Sequence, residues 1–321
     1  MLPGVALPIE LADVERAAAR IRGVAHRTPL VTSRTIDREA GAEVVLKAEG
    51  FQRVGAFKFR GAYNTVAQLS ESDLAGGVVA SSSGNHAQAL ALAAAICRTT
   101  ATIYMPSDAP ASKRAATEGY GARIVEYDRY RDDRDELTAR HAREHGAVEV
   151  HPYDEPRVMA GAGTVGLELI QDAGELDTVA VPLGGGGLFS GCLTAIKGLS
   201  PDTRVIGVEP AASPDYARSL EAGQPVTVEI ERSICDGQLL PRPGRRPWEV
   251  VESLADGVVT VSDDEVRAAM RLLFERCKVV AEPSGASALA AVLAGRVEGS
   301  RVGVVLSGAN VDAARFAQLL G

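Results

Sequence analysis

Short apolar runs rich in β-branched residues alternate along the chain with longer segments of helical periodicity. The runs are VVLKAE, GVVAS, ATIYMP, ARIVEY, TVAVPLG, RVIGVEP, GVVTVS and RVGVVLSG. Segments such as HAQALALAAAIC and DDEVRAAMRLLFERC lie between the runs and are predicted to be helices. This alternation predicts an α/β protein whose doubly wound, mostly parallel sheets are covered by helices.

The same pattern suggests how the chain divides into domains. Residues 76–152 form a compact set of strand–helix units, which we interpret as a smaller domain inserted into a larger one. The larger domain would then comprise residues 1–75 and 153–321. A stretch rich in Pro and Arg, residues 232–248, reads RSICDGQLLPRPGRRPW and is predicted to be a long mobile loop.

Composition and charge narrow the class of protein. The chain has 321 residues and a formal net charge of −8, so a nucleic-acid partner is not expected. No apolar run reaches the ~18 residues that a membrane span needs, and the N-terminus lacks the pattern of a secretion signal. The 4 cysteines are scattered and form no CxxC pair. We therefore expect a cytoplasmic protein without membrane association.

Small and polar residues follow several of the predicted strands. The segment SSSGNH at residues 81–86 and the glycines at residues 184–187 each stand between a strand and a helix, and Ser307 follows the last strand. In doubly wound sheets, ligands bind beyond the carboxyl ends of the strands. Four glycines at such a turn leave amide groups free, which predicts a phosphate site.

One lysine stands between two aromatic residues, in the segment GAFKFRGA at residues 55–62. Partial burial of Lys58 beside Phe57 and Phe59 would disfavour its charged form, and a neutral lysine is a nucleophile. A lysine, a phosphate site and polar strand ends together suit an aldehyde cofactor that carries one phosphate. We therefore predict that Lys58 holds pyridoxal phosphate.

Five segments, in this order and spacing, resemble those of the fold-type-II pyridoxal-phosphate enzymes. They are GAFKFRGAYN, SSSGNHAQALA, the GGGGL turn, AEPSGA and LSGANVD. More narrowly, the chain is similar to the serine/threonine dehydratase and serine racemase family over nearly its whole length. The resemblance implies a tryptophan synthase β-like fold, with the cofactor between the two domains, and a homodimer.

The resemblance also implies roles for individual positions. Lys58 would form the Schiff base with the cofactor, Phe57 would pack beside the ring, and Asn85 would bond the 3-hydroxyl. Ser307 would meet the pyridine nitrogen. The phosphate would be held by the backbone amides of Gly184, Gly185, Gly186, Gly187 and Leu188. Because a serine hydroxyl cannot sustain a protonated nitrogen as a carboxylate can, loss of a β-substituent is favoured over transamination.

Ser83 separates branches of this family, because threonine dehydratases usually have alanine there. Serine racemases and threo-3-hydroxyaspartate dehydratases have serine, whose hydroxyl would return a proton to Cα opposite Lys58. Without the family pattern, a helix-capping serine fits Ser83 equally well. Arg134 matches an arginine of the racemase branch but also fits a solvated helix face. The residues predicted to bind the substrate are Ser81, Ser82, Ser83, Asn85, His86 and Arg134.

A metal site is also implied by the resemblance. Glu209, the carbonyl of Ser213, and Asp215 match the divalent-metal site of the racemase branch, and hard oxygen ligands would suit Mg²⁺ or Ca²⁺. Taken without the resemblance, Glu209 and Asp215 are two loop carboxylates.

The activity implied is that of an ammonia-lyase. It would eliminate water from L-serine, L-threonine or a similar hydroxy amino acid and release a 2-oxo acid and ammonia. Serine racemase and threo-3-hydroxyaspartate ammonia-lyase are the alternatives, and the motifs do not rank the substrates. A β-replacement synthase would differ in the lysine and asparagine segments, and a binding protein without activity would be expected to lack Lys58 or Ser307. Because the chain ends soon after LSGANVD, no isoleucine-sensing domain is expected.

Two other motifs carry little weight. GAGTVG, residues 161–166, matches GxGxxG, but it lacks the preceding strand that a dinucleotide site requires. HAREH, residues 141–145, matches a zinc-protease pattern on a highly charged segment with no third ligand nearby. We expect neither site to exist, and we interpret His26 and His151 as structural residues.

Overall fold

The computed structural model describes residues 6–109, 111–128 and 130–321. The strands are β1 (Leu30–Val31), β2 (Glu43–Ala48), β3 (Val78–Ser81), β4 (Ala101–Pro106), β5 (Arg123–Tyr127), β6 (Val148–Glu149), β7 (Thr178–Pro182), β8 (Arg204–Pro210), β9 (Gly257–Val261) and β10 (Arg301–Leu306). The helices are α1 (Leu11–Ile21), α2 (Arg34–Ala40), α3 (Lys58–Val66), α4 (Glu71–Gly76), α5 (Asn85–Ile96), α6 (Ala111–Gly119), α7 (Arg134–His145), α8 (Pro156–Ala173), α9 (Gly187–Leu199), α10 (Asp215–Ala222), α11 (Arg245–Leu254), α12 (Asp263–Leu272), α13 (Pro283–Leu293) and α14 (Ala313–Leu320). Residues Asp236–Gln238 form a 3₁₀ turn.

The strands are arranged in a larger and a smaller sheet. The larger sheet has the order β1-β2-β10-β7-β8-β9, and its pairs are parallel except for β1 with β2. The smaller sheet has the order β5-β4-β3-β6 and is parallel throughout. The predicted α/β class with parallel sheets is confirmed, and each predicted run forms a strand. The two-residue strands β1 and β6 were not predicted, since such short runs carry no periodicity.

Helices cover both faces of the larger sheet, which explains why its central strands consist mostly of buried apolar residues. All residues of β7 are buried. On one face, α12 and α13 contribute Met270, Leu289 and Val292 to a core cluster. On the other face, α8 and α9 contribute Met159 and Leu193 to a second cluster. Each face therefore has its own hydrophobic core.

Glycines allow three helices near the lysine segment to pack at very short range. A Cβ added at Gly61 of α3 would lie 2.7 Å from the carbonyl oxygen of Val158 in α8. A Cβ at Gly161 of α8 would lie 2.6 Å from the carbonyl oxygen of Arg60, and one at Gly191 of α9 would lie 2.3 Å from that of Met159. Residues 161–166, GAGTVG, thus lie inside α8 and serve helix contacts.

The end of the predicted loop at residues 232–248 is helical, so that part of the prediction is wrong. Helix α11 begins at Arg245, and Trp248 is buried against Tyr216 with ring centroids 6.3 Å apart. Pro247 lies in the first turn of α11, where a missing N–H removes no helical hydrogen bond. Its presence in the sequence is therefore compatible with a helix start.

The predicted domain limits, 1–75 with 153–321 and 76–152, stay a prediction. The smaller sheet lies within residues 78–149, and its core cluster also includes Phe59 and Val66 of α3 and Val158 of α8. The segment that begins with Lys58 therefore packs on the smaller sheet. No helix in the described part of the chain has the length and apolar character that a bilayer crossing demands.

Candidate active site

A cavity of about 310 Å³ lies at the carboxyl ends of β3, β7 and β10. Every residue predicted to act in catalysis, cofactor binding or substrate binding lines it: Phe57, Lys58, Ser81, Ser82, Ser83, Asn85, His86, Arg134, Gly184, Gly185, Gly186, Gly187, Leu188 and Ser307. The predicted metal ligands are not among its lining residues. The structure brings the first set together, while the role of each residue stays a prediction.

Lys58 is the first residue of α3. The two residues before it are hydrogen-bonded or bridged to the segment that follows β10, which fixes the position of the helix start. Ala56 forms a bridge with Gly308, and the amide of Phe57 donates to the carbonyl of Ser307 over 3.0 Å. Lys58 Nζ donates to the carbonyl of Pro152 at 2.7 Å and lies 5.1 Å from the centre of the Phe57 ring.

Burial lowers the pKa of Lys58 to about 8, and the carboxylate of Glu282 opposes this shift. A substantial fraction of the Lys58 side chain is therefore uncharged near pH 8, as a nucleophilic or proton-accepting amine must be. The expectation that its surroundings favour the neutral amine agrees with this direction.

The glycine turn between β7 and α9 lines the cavity and packs closely against two tyrosines. A Cβ at Gly185 would lie 2.3 Å from Tyr153 Cγ, and a Cβ at Gly186 would lie 2.1 Å from the Tyr216 hydroxyl. Gly186 also has φ +91°, which disfavours other residues. Within the described residues, the amides of Gly184, Gly185 and Gly186 donate no hydrogen bond. They are available to an anion.

Asn85, the first residue of α5, is held by the side chain of Glu282, which precedes α13, and by that of Asn310, which follows β10. Its Oδ1 accepts from Asn310 Nδ2 at 2.8 Å, and its Nδ2 donates to Glu282 Oε1 at 2.7 Å. Asn310 Nδ2 also donates to the carbonyl of Val54 at 2.6 Å. This network fixes which way the Asn85 amide points and joins the smaller sheet to the larger one.

His86 is neutral and buried behind the serine segment. Its Nε2 lies 2.8 Å from the carbonyl of Val150 and must donate to it, because a carbonyl only accepts. Burial, and to a smaller degree the charge of Lys58, lowers the pKa of His86 to about 3. Its Nδ1 is an acceptor that has no partner among the described residues.

The position of Arg134 is compatible both with a role in substrate binding and with a solvated helix face. It is the first residue of α7 and lines the cavity, yet its side chain is 51% exposed and its Nε lies 3.3 Å from Asp135 Oδ1. His141 and His145, in the same helix, stack with ring centroids 4.4 Å apart. The described residues contain no group of three or more His, Cys, Asp or Glu side chains placed to bind a metal.

The two isolated histidines make local contacts. His26 Nδ1 lies 3.0 Å from the carbonyl of Phe51. His151 Nδ1 accepts from the amide of Asp154 at 2.9 Å, and burial lowers the pKa of His151. Both therefore support the chain around the site.

Several cavity residues were not predicted from the sequence. They are Lys113, Tyr153, Asp236, Glu282 and Asn310. Burial raises the pKa of Glu282 to about 7, although the hydrogen bond from Asn85 opposes this. Glu282 and Asn310 belong to the segments AEPSGA and LSGANVD, which the resemblance had singled out. The resemblance did not indicate that these two side chains contact Asn85.

Comparison with known proteins adds evidence of a different kind. A family model described as "Pyridoxal-phosphate dependent enzyme" matches residues 21–308. The chain belongs to this family. Its cofactor is pyridoxal phosphate, as the lysine and the glycine turn predicted.

Individual relatives cover almost the whole of the chain. L-threo-3-hydroxyaspartate ammonia-lyase from Saccharomyces cerevisiae is 46% identical over 310 residues, 96% of this chain and 95% of its own. Serine racemase from Schizosaccharomyces pombe is 42% identical over 310 residues, 96% of each chain. The solved structure of maize serine racemase has a TM-score of 0.93 at 39% identity and covers 97% of this chain and 96% of its own. The fold-type-II assignment is confirmed.

The residues present fit this cofactor. Free amides at the glycine turn suit its phosphate, and Lys58, with its lowered pKa, suits its aldehyde. Ser307 directly follows β10 and lines the cavity. Its side chain is uncharged, and the residue is 5% exposed. This pyridoxal-phosphate enzyme therefore has the donor set that the family cofactor needs.

Glu209 in β8, Ser213 in the following loop and Asp215 at the start of α10 form a separate buried cluster, and each is 0% exposed. Glu209 accepts from the amides of Tyr216 at 2.9 Å and Ala217 at 3.0 Å, at the start of α10. Asp215 Oδ1 and Oδ2 have no hydrogen-bond partner among the described residues. Burial raises the pKa of both carboxyl groups. Two neighbouring buried carboxyl groups, one of which has two unsatisfied oxygens, fit a hard cation.

Tyr216 connects this cluster to the glycine turn. Its hydroxyl donates to the carbonyl of Gly185 at 3.2 Å, and its own amide donates to Glu209. The ring is fully buried. Tyr216 therefore contacts both the acidic cluster, through its amide, and the glycine turn, through its hydroxyl.

Proposed function

We propose that this pyridoxal-phosphate enzyme is an ammonia-lyase that removes water from a small hydroxy amino acid. L-serine would give pyruvate and ammonium: water leaves in the elimination, and water re-enters when the amino group is hydrolysed. The observation that carries the proposal is the partly neutral Lys58 amine, which lines one cavity with the glycine turn, Ser83 and the uncharged Ser307. The ammonia-lyase and racemase activities after which the relatives are named agree with this chemistry.

When bound, pyridoxal phosphate supplies an electron sink for the carbon that bears the amino group. Lys58 Nζ takes the proton from Cα, for which its lowered pKa prepares it. The amides of residues 184–188 would hold the phosphate of the cofactor. Asn85, fixed by Glu282 and Asn310, would orient the ring of the cofactor through its side-chain amide.

The choice of elimination depends on Ser307. A carboxylate at that position would keep the ring nitrogen protonated and strengthen the electron sink, whereas a hydroxyl group does not. A weaker sink favours early departure of the β-hydroxyl. Ser81, Ser82, Asn85 and His86 are proposed to bind the substrate carboxylate through hydroxyl groups and through backbone amides at the start of α5, because His86 Nδ1 is an acceptor.

Serine racemase is the second candidate function. Ser83 lines the same cavity as Lys58, and its hydroxyl would return a proton to the opposite face of Cα. The likeness to the fission-yeast and maize racemases favours this activity as well. Both activities can belong to one site, because each starts with removal of the same proton.

We expect the purified holoenzyme to release ammonia and a 2-oxo acid from L-serine, L-threonine or L-threo-3-hydroxyaspartate. A panel of these substrates, scored for ammonia, 2-oxo acid and D-serine, measures both candidate activities. D-serine formed faster than pyruvate would make racemisation the main function. A protein that retains pyridoxal phosphate but produces none of these products would contradict the proposal.

We further propose that Glu209, Asp215 and the carbonyl of Ser213 bind Mg²⁺ or Ca²⁺. Chelation with EDTA is expected to lower the melting temperature, because a cation at 100 times its Kd stabilises the folded state by about 2.7 kcal/mol. Adding back Mg²⁺ or Ca²⁺ should restore it. The variant Glu209→Gln/Asp215→Asn should not respond to chelation. An equal response in this variant and in the parent would rule out the site.

The homodimer, the cytoplasmic location and the lack of nucleic-acid or membrane partners stay predictions.

A further inference from the structure

Two of the residues that line the cavity form an ion pair with each other. Lys113 Nζ lies 3.0 Å from Asp236 Oδ2, and both residues line the cavity. Lys113 belongs to α6, which packs beside the smaller sheet, whereas Asp236 lies in the 3₁₀ turn on the side of the larger sheet. The Lys113 side chain is 31% exposed and that of Asp236 is 70% exposed. The lysine is therefore the inner partner and the aspartate the outer one.

The turn that carries Asp236 is firmly anchored. Gln238 Nε2 donates to the carbonyls of Leu183 at 2.9 Å and Val208 at 2.8 Å, at the ends of β7 and β8. The amide of Gly237 donates to Ser284 Oγ at 3.1 Å. The backbone of the turn is thus fixed beside the cavity, and exchange of partners at the ion pair requires only side-chain rotation.

The charges of this pair act inside the cavity. The charge of Asp236 raises the pKa of Glu282, and the charge of Lys113 lowers it. Both charges therefore affect a carboxyl group inside the cavity, the one to which Asn85 donates. Of the cations that line the cavity in the described residues, Lys58 is the candidate catalytic amine and Arg134 is half exposed beside Asp135. Lys113 is the cation whose carboxylate partner also lines the cavity.

We propose that Lys113 is the residue that selects substrates with a second carboxylate, such as hydroxyaspartate. The inference rests on the proposed ammonia-lyase function and names the substrate class of the same site. A side-chain carboxylate takes the place of Asp236 on Lys113 and keeps the lysine neutralised. Serine and threonine have no such group, so the pair between Lys113 and Asp236 stays intact when they bind. Asp236 therefore competes with the side-chain carboxylate of the substrate for Lys113.

Opposite effects are expected from the two partners. Lys113→Met should lower the ratio of kcat/KM for L-threo-3-hydroxyaspartate to that for L-serine by about tenfold, the value of one charge-assisted hydrogen bond. Asp236→Asn should raise the same ratio, because it frees Lys113 without removing it. The ratio of two substrates on one protein cancels any loss of correctly folded enzyme.

Arg114→Met is the matched control. Arg114 is the next residue of α6, pairs with Glu126 and does not line the cavity, so the ratio should stay that of the parent. Arg134→Met tests the competing cation. A fall of the ratio in Arg134→Met with none in Lys113→Met would assign selection to Arg134 and overturn the proposal.

Calorimetric titration of the holoenzyme with succinate gives a readout without turnover. Succinate should bind more weakly to Lys113→Met and more tightly to Asp236→Asn than to the parent. If neither the kinetic ratio nor succinate binding changes in these variants, the role of Lys113 is refuted while the lyase function stands. Succinate binding that follows the expected order in a protein without lyase activity would refute the proposed function and keep the dicarboxylate site.

Discussion

Lys58→Ala is expected to abolish ammonia release and racemisation, with a loss of at least about 10³-fold in kcat, the order of magnitude attributed to a positioned acid–base group. Lys58 is the amine that lines the cavity beside the glycine turn, and its pKa of about 8 leaves it partly neutral. No neighbouring amine replaces it, because Lys113 is engaged with Asp236. Ammonia, 2-oxo acid and D-serine assays on the purified variant provide the measurement.

Two controls separate chemistry from folding and from charge. Lys58→Arg keeps a cation of similar length but has no neutral amine at working pH, so it should be as inactive as Lys58→Ala. After borohydride reduction, peptide mass analysis should find the cofactor on the Lys58 peptide of the parent and on no peptide of either variant. Turnover that survives in Lys58→Ala, or a cofactor attached to another lysine, would contradict the assignment.

Gly185→Ala is expected to destabilise the protein by about 1–3 kcal/mol and to weaken retention of pyridoxal phosphate strongly. The added Cβ would lie 2.3 Å from Tyr153 Cγ, so the ring or the turn must move. Movement of the turn misplaces the amides that are free to hold the phosphate. Thermal melting of the apoprotein gives the first effect, and titration with the cofactor gives the second.

Gly119→Ala is the matched control for this change. A Cβ at Gly119 meets no atom within 4 Å, so melting temperature and cofactor affinity should be those of the parent. Equal behaviour of Gly185→Ala and Gly119→Ala would mean that the glycine turn does not depend on close packing with Tyr153.

The central strands of the larger sheet were predictable because they are buried on both faces. Strands such as β7 and β10 are short, continuous apolar runs rich in β-branched residues. The start of α11 was missed because Pro247 and the neighbouring arginines look like a loop. The helix buries Trp248 against Tyr216, and a contact between residues so far apart along the chain is not visible in the local sequence.

The site was predictable where backbone chemistry decides the residue type. Three local sequence patterns could be recognised: a glycine turn, a serine-rich turn and a lysine between aromatic residues. In the structure, all three line one cavity. Glu282 and Lys113 were missed because their importance depends on partners far along the chain. Asn85 reaches Glu282 across 197 positions, and Lys113 reaches Asp236 across 123. No periodicity in a single sequence encodes such pairings.

The position of β10 in the larger sheet has a consequence for biosynthesis. This strand lies between β2 and β7, so the sheet cannot close until residues 301–306 have left the ribosome. The strands of the smaller sheet are all synthesised by residue 149 and are free to assemble first. Meanwhile the nascent chain carries two unpaired apolar strand edges, a state that invites aggregation and chaperone binding. A complete site for the vitamin B6 coenzyme therefore requires that β10 and Ser307 have been synthesised.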